Sequence, residues 1–169
     1  MRRLGLMLVA TLAGAGLAAC GKSGGGQPTG SEGAATPPAS APAPELTDAQ
    51  KQKLVAELPA PYGAGDIAHG KSVFMICKSC HTTVSGGANM TGPNLYGVFG
   101  RKAGTAPGFA YSDGLKASGV TWDAAQLDTW ITNPKAMVAE TKMSFVGLKD
   151  PKDRTDLIAY LKTEVSPAP

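Results

Sequence analysis

Three stretches of this chain carry apolar residues at the period of an amphipathic helix, and the long segments between them do not. The first follows Asp66, a suitable N-cap, and runs to about Met75 with Ile67, Gly70 and Phe74 along one face. A glycine inside a helix costs about 1 kcal/mol relative to alanine, so Gly70 implies close approach by another backbone. The second, opened by Thr121 or Trp122, spans roughly Asp123 to Thr132. It stops at Asn133-Pro134, because the residue before a proline is pushed out of the helical region. The third begins near Pro151, whose fixed φ suits a first turn, and reaches about Thr163 with Leu157, Ile158 and Leu161 as its buried stripe. A weaker stripe of Leu46, Leu54, Val55 and Leu58 marks a short helix over Glu45 to Leu58, capped by Thr47 or Asp48 and ended by Pro59 and Pro61. Its simplest reading is a marginal helix in a linker, with a docking element as the alternative. No strand pattern and no internal repeat is present, so the expected fold class is all-α.

Between the first two helices, Thr82 to Val120 is rich in glycine and proline. So long a structureless segment argues against a compact domain unless it wraps a large ligand in place of making its own core. At the other end, Met1 to Cys20 has a basic start (Arg2, Arg3), an apolar run from Leu4 to Leu17 and small residues after it, which is the layout of a secretory signal. The run is shorter than the roughly 20 residues that a bilayer-spanning helix needs. Leu17-Ala18-Ala19-Cys20 resembles the lipobox of bacterial lipoproteins, which makes Cys20 the expected lipidation site. An ordinary signal cut nearby and an uncleaved anchor are the alternatives. Gly21 to Pro44 is Gly, Ser, Ala, Thr and Pro with almost no large apolar residue. It cannot bury enough surface to offset its ordering entropy and reads as a disordered tether with an r.m.s. span of roughly 25–30 Å. The expected organisation is a signal peptide over 1–19, a lipid-anchored tether over 20–64, a folded domain over 65–165 and a tail over 166–169.

Composition sharpens this picture. The chain has 169 residues, but its 22 glycines and 13 prolines crowd the early part, which leaves a domain small enough to need a staple. Net charge is +3, and falls to +1 once Arg2 and Arg3 leave with the signal, with 14 basic residues against 13 acidic. No Lys/Arg run and no basic–aromatic pattern points to nucleic acid. Aromatic residues are only 6%, as expected if a large apolar cofactor fills much of the core. The three cysteines each have a use: Cys20 in the leader, Cys77 and Cys80 in the motif that carries the chemistry.

That motif is Cys77-Lys78-Ser79-Cys80-His81, the C-x-x-C-H signature of covalent haem attachment. Two thiols one helical turn apart add across the two porphyrin vinyl groups, and the next histidine lies under the iron as an axial ligand. A bare C-x-x-C also serves redox dithiols and zinc half-sites. The adjoining His81, the lack of a second cysteine pair and the absence of a βαβ pattern count against both. For the other axial position, His69 is the one remaining histidine; it sits too close to the attachment turn and reads as exposed. Of the methionines beyond the leader, Met75 reads as core, and Met90 and Met137 as packing or surface residues. Met143 lies in a loop far enough along the chain to return over the distal face. Spacing alone gives Met143 only a slight lead.

From Asp66 to Thr163 the chain closely resembles the class I cytochromes c of mitochondria and bacteria. The resemblance is carried by Gly70 and Phe74, Cys77, Cys80 and His81, Thr91-Gly-Pro-Asn-Leu95, Phe99-Gly-Arg-Lys102, Ala106-Pro-Gly-Phe109, Tyr111, Trp122, Asn133-Pro-Lys135, Thr141-Lys-Met143 and Leu157-Ile-Ala-Tyr-Leu161. It implies one covalent haem c, N- and C-terminal helices that cross, and loops that wrap the cofactor. It further implies His81 as proximal and Met143 as distal ligand, with the Pro93 carbonyl accepting the imidazole N–H. Arg101, Tyr111, Trp122 and Thr141 are then expected at the haem propionates. Gly70 and Phe74 are expected against Leu157 and Tyr160.

Three departures from the family pattern stand out. Ala139-Glu140 replaces the usual Pro-Gly before Thr-Lys-Met, so Met143 is expected to yield to Lys142 or Lys135 at lower pH than is typical. Trp130 stands where a tyrosine is usual. In the lysine ring that mitochondrial relatives place around the haem edge, Lys71, Lys135, Lys142 and Lys149 match, whereas Ile76, Met90 and Ala136 do not. The resemblance implies a non-enzymatic one-electron carrier tethered in the bacterial periplasm, taking electrons from a quinol-oxidising cytochrome bc complex and passing them to a terminal oxidase. Its rivals are a haem enzyme or gas sensor with five-coordinate iron, and a fixed electron-input module of a larger enzyme.

Overall fold

The computed structural model describes residues 45–166; Cys20, the signal and the Gly/Pro-rich tether assigned before residue 45 lie outside that range. The first helix, α1 (Asp48–Ala56), opens on a reciprocal cap: Gln50 N–H donates to Thr47 Oγ1 at 3.3 Å and Thr47 N–H to Gln50 Oε1 at 2.8 Å. Contrary to the linker reading, α1 is docked. Val55 is only 2% exposed, and the helix packs on the C-terminal helix and on a single 3-10 turn at Tyr62–Ala64. The apolar stripe is short because one face two turns long has to be covered, and Val55, Leu58 and Tyr62 suffice for it. Residues 45–64 are thus folded, not the end of a free tether.

Helix α2 (Ile67–Lys78) starts as expected, with the Asp66 carboxylate accepting the Ala68 and His69 amides at 2.8 and 3.0 Å. It runs three residues past Met75 and includes Cys77. Gly70, Phe74 and Cys77 share its inward face, so Met75, expected in the core, is turned out and is 59% exposed. The segment that follows is irregular, except for the five-residue α3 (Asp113–Ala117), capped by Ser112. So short a helix leaves no periodic signal. Helix α4 (Ala124–Thr132) is capped by Asp123. Asn133-Pro134 both ends α4 and begins α5 (Pro134–Met137), because the Asn133 side chain accepts the Ala136 amide at 3.2 Å while Pro134 needs no donor partner at the first turn. Helix α6 (Pro151–Val165) is capped by Asp150 and closes the fold.

The frame is the crossing of α2 and α6. A Cβ on Gly70 would collide with the Asp156 carbonyl, so only glycine allows the two backbones to approach this closely. Phe74 and Tyr160 pack one residue-turn further along, with ring centroids 5.5 Å apart. The buried Asp156 carboxylate locks the crossing by accepting the Asp66 amide at 2.8 Å and His69 Nδ1–H at 2.7 Å. His69, expected to be merely exposed, is therefore a bridging residue. Two sides of α6 do different work: Leu157 and Leu161 face a central cavity, whereas Gly65 lies against Thr155 and Ala159 with no room for a side chain. Among the described residues there is no sheet, only an isolated antiparallel bridge between Lys102 and Thr121, and no helix long and apolar enough to cross a membrane.

Candidate functional site

The end of α2 sets the first wall of the site. The amides of Cys80 and His81 both donate to the Cys77 carbonyl at 3.0 Å, a tight turn that keeps the two thiols and the imidazole together. Both cysteines are free and half-buried. Burial, with a smaller contribution from Cys80, pushes the Cys77 thiol up to about 11. His81 Nδ1 lies 2.8 Å from the Pro93 carbonyl. A carbonyl can only accept, so Nδ1 carries the proton and Nε2 keeps a free lone pair. Burial holds His81 below the ordinary imidazole range, partly offset by that hydrogen bond, so the ring is neutral and available as a ligand.

The loop that presents Pro93 is fixed from several sides. Gly92 N–H donates to the Cys80 carbonyl and Leu95 N–H to the Thr82 carbonyl, each at 2.8 Å. The Asn94 side-chain amide reaches Thr82 Oγ1 at 2.8 Å and the Gly87 carbonyl at 3.0 Å. Gly92 lies directly under the imidazole: a Cβ there would come within 2.7 Å of both ring nitrogens. This role is invisible in the sequence, where Gly92 is simply one residue of a motif.

A cavity of about 320 Å³ opens beside these groups. Cys77, Cys80, His81, Pro93, Arg101, Tyr111, Trp122, Thr141 and Met143 all line it, so every expected site residue within the described range is brought to one place. Arg101 donates through its two terminal nitrogens to the carbonyls of Tyr96 at 3.0 Å and Asn94 at 3.1 Å. Burial lowers its affinity for its proton and raises that of the Tyr111 phenol for its own, each partly offset by the other group. Trp122 meets Trp130 edge to face at 5.5 Å, and both indoles are buried. The Met143 amide donates to Thr141 Oγ1 at 3.2 Å, which fixes the loop backbone beside the thioether.

The donor set fits a haem. Two unpaired thiols, a neutral imidazole with one nitrogen already engaged, and a thioether face a cavity whose other walls include Phe74, Leu127, Ile131, Leu157 and Leu161. An apolar macrocycle with axial positions for nitrogen and sulfur matches both the chemistry and the lining. Sequence reasoning did not find the polar pair of Asp128 on α4 and Arg154 on α6, 2.6 Å apart, which anchors the far end of the Met143 loop. Its members lie 26 residues apart, and neither stands in a recognisable motif.

Comparison with known proteins agrees with this geometry. The cytochrome c family model matches residues 67–164. Cytochrome c2 of Rhodomicrobium vannielii is 52% identical over 103 residues, which cover 61% of this chain and 82% of the relative. Cytochrome c of Chlamydomonas reinhardtii is 50% identical over 100 residues, 59% of this chain and 89% of the relative. Among solved structures, cytochrome cH from Methylobacterium extorquens aligns with 52% identity and a TM-score of 0.55, covering 59% of this chain and 99% of that one. The matched segment starts where α2 starts, so α1 and the 3-10 turn lie outside it. The chain belongs to the cytochrome c family, as a class I monohaem member that binds one haem c covalently and works as a haem-based electron carrier.

Proposed function

We propose that this cytochrome is a membrane-tethered one-electron carrier of the bacterial periplasm, moving electrons from a quinol-oxidising cytochrome bc complex to a terminal oxidase. The supporting observation is that His81 and Met143 line the same apolar cavity as the attachment thiols Cys77 and Cys80. His81 and Met143 would supply the nitrogen and sulfur ligands to the iron, and Cys77 and Cys80 would hold the porphyrin as thioethers. Bound there, the haem supplies an iron that changes oxidation state by one electron, with a potential raised by sulfur ligation.

The chain's own residues do the rest. Pro93 holds His81 in one tautomer and one ring orientation, and the hydrogen bond strengthens the imidazole as a donor. Trp122, Trp130, Leu157 and Leu161 exclude water, so little solvent has to reorganise when charge changes. Arg101, Tyr111, Trp122 and Thr141 are assigned to the haem propionates. With His81 and Met143 both on the iron, no coordination position would remain for a substrate, which favours electron transfer over catalysis.

The lipobox at Cys20 and the tether after it keep the carrier at the membrane. Freely diffusing carriers gain association rate from charge steering, whereas a short flexible tether supplies an effective concentration on the order of mM. The reduced lysine ring is consistent with the second strategy. Ile76 and Met90 are 53% and 49% exposed, and the Lys142 and Lys149 ammonium groups are engaged with the Ala110 and Thr132 carbonyls at 2.7 and 2.9 Å. The test compares full-length protein with a form released by cleavage in the tether, in membranes that contain both complexes. Release is expected to slow oxidase turnover at dilute concentration and leave the redox potential unchanged, and mass spectrometry of the N-terminus should show acyl chains on Cys20. Equal turnover by both forms would sink the tether reading.

A further inference from the structure

Asn89 stands just before the Thr91–Leu95 motif, and its side chain joins two loops whose partners lie 18 residues apart. Its Oδ1 accepts the Asn94 N–H at 2.9 Å, and its Nδ2–H donates to the Pro107 carbonyl at 2.9 Å. The partners fix which end of the side chain is which, because a backbone amide only donates and a carbonyl only accepts. Aspartate in its place lacks the donor, and leucine, of similar size, lacks both groups.

The Asn94 amide nitrogen belongs to the same peptide group as the Pro93 carbonyl, which accepts His81 Nδ1–H at 2.8 Å. Three hydrogen bonds therefore run head to tail, from His81 to Pro93, from Asn94 to Asn89 and from Asn89 to Pro107. Two amides link them: the Pro93–Asn94 peptide and the Asn89 side chain. Each is delocalised, so engaging its N–H makes its oxygen a stronger acceptor.

The place of that peptide is set by other bonds. Gly92 N–H donates to the Cys80 carbonyl, Leu95 N–H to the Thr82 carbonyl, and the Asn94 side chain is bonded to Thr82, Val84 and Gly87. What Asn89 adds is polarisation of the Pro93 carbonyl and a strap to the segment that follows Pro107. In that segment Phe109 and Tyr111 meet edge to face at 4.7 Å and line the cavity.

We propose that Asn89 is a positioning residue for His81, acting through the Pro93–Asn94 peptide. It strengthens the bond that keeps the imidazole in one tautomer and one orientation, and it ties that bond to the loop at Pro107. The proposal rests on His81 being the nitrogen ligand of the haem iron.

The test is proton magnetic resonance of full-length reduced holoprotein, read beside solvent exchange and thermal stability. Asn89→Ala and Asn89→Leu are expected to move the His81 Nδ1–H resonance upfield and speed its exchange by up to about twofold, the cooperative share of one hydrogen bond. The Asn94 amide, which loses its acceptor outright, should exchange about 2–13-fold faster. Asn89→Asp keeps the acceptor, charges it and cuts the strap, so it is expected to move the His81 resonance downfield while stability falls. Thr105→Val removes the 2.7 Å bond from Thr105 Oγ1 to the Lys102 carbonyl and loosens the turn before Pro107; it should lower stability and leave the resonance in place. An unmoved resonance in the alanine and leucine variants overturns the proposal, as does an upfield move in Asn89→Asp. So does a Thr105→Val shift as large as theirs at equal loss of stability. If the alanine and leucine variants do not load haem, Asn89→Asp carries the test. In oxidised wild-type protein, His81 ring protons left at ordinary positions by the iron's unpaired electron would defeat the ligation reading itself, and this proposal with it.

Discussion

Gly92 occupies a position where a side chain cannot fit without moving the His81 imidazole. Overpacking of this kind costs about 1–3 kcal/mol and shifts the neighbours that can yield, here the His81 ring. Gly92→Ala is expected to stretch the bond from His81 to Pro93, reduce the yield of haem-loaded protein severalfold and lower the redox potential. Haem per polypeptide and a redox titration check this. At Ala139, the change from the family's proline is reversible by mutation. Ala139 is second in the turn closed by Thr141 and Val138, the place where proline's fixed φ is favoured, and its own amide donates no backbone hydrogen bond that proline would remove. Ala139→Pro should stabilise the loop by about 0.4–1 kcal/mol through the unfolded chain. The midpoint for replacement of Met143 by lysine should rise by a corresponding fraction of a pH unit, and optical titration reads the sign directly. Cys77, Cys80 and His81 are legible in the sequence as an attachment motif because their types and order are set by the cofactor, whereas Met143 is singled out as the distal ligand only through the family resemblance. Gly92 and Arg154 were not, because their roles depend on which atoms the fold brings against them.

Among the elements, α2 and α6 bear the load, and their joint is a single buried carboxylate. Burial pushes Asp156 up, but hydrogen bonds from Lys152, the Asp66 amide and His69 win and hold it below its ordinary value. A carboxyl depressed in the folded state contributes stability that is fully present above the unfolded value of 3.8 and is lost as pH falls through the folded one. Asp156→Asn is accordingly expected to cost about 1.5–3 kcal/mol near neutral pH and progressively less below about pH 4. Thermal melts across that range decide it; an equal loss at both ends would show that packing, not charge, matters at this joint. The three long helices were readable from periodicity and caps because each buries a continuous stripe. Helices α3 and α5 span five and four residues and escape any periodic test, and α1 reads as linker in the sequence because its partner α6 lies about a hundred positions away.

For the whole molecule, what decides function is whether the iron is closed on both sides. The irregular segment from Thr82 to Ser112, which would be an anomaly in an ordinary small domain, forms walls of the cavity together with α2, α4 and α6. An all-α frame with cofactor-shaped loops could be read from composition and motif together; the path of those loops could not, since it is set by side-chain anchors such as Asn94. The most direct test is the optical spectrum of oxidised and reduced holoprotein at neutral pH, followed by exposure of the reduced form to carbon monoxide. A His81/Met143 pair predicts a sulfur-to-iron charge-transfer band in the oxidised protein and no rapid carbon monoxide complex. A water-ligated or five-coordinate iron that takes up carbon monoxide at once would contradict the account.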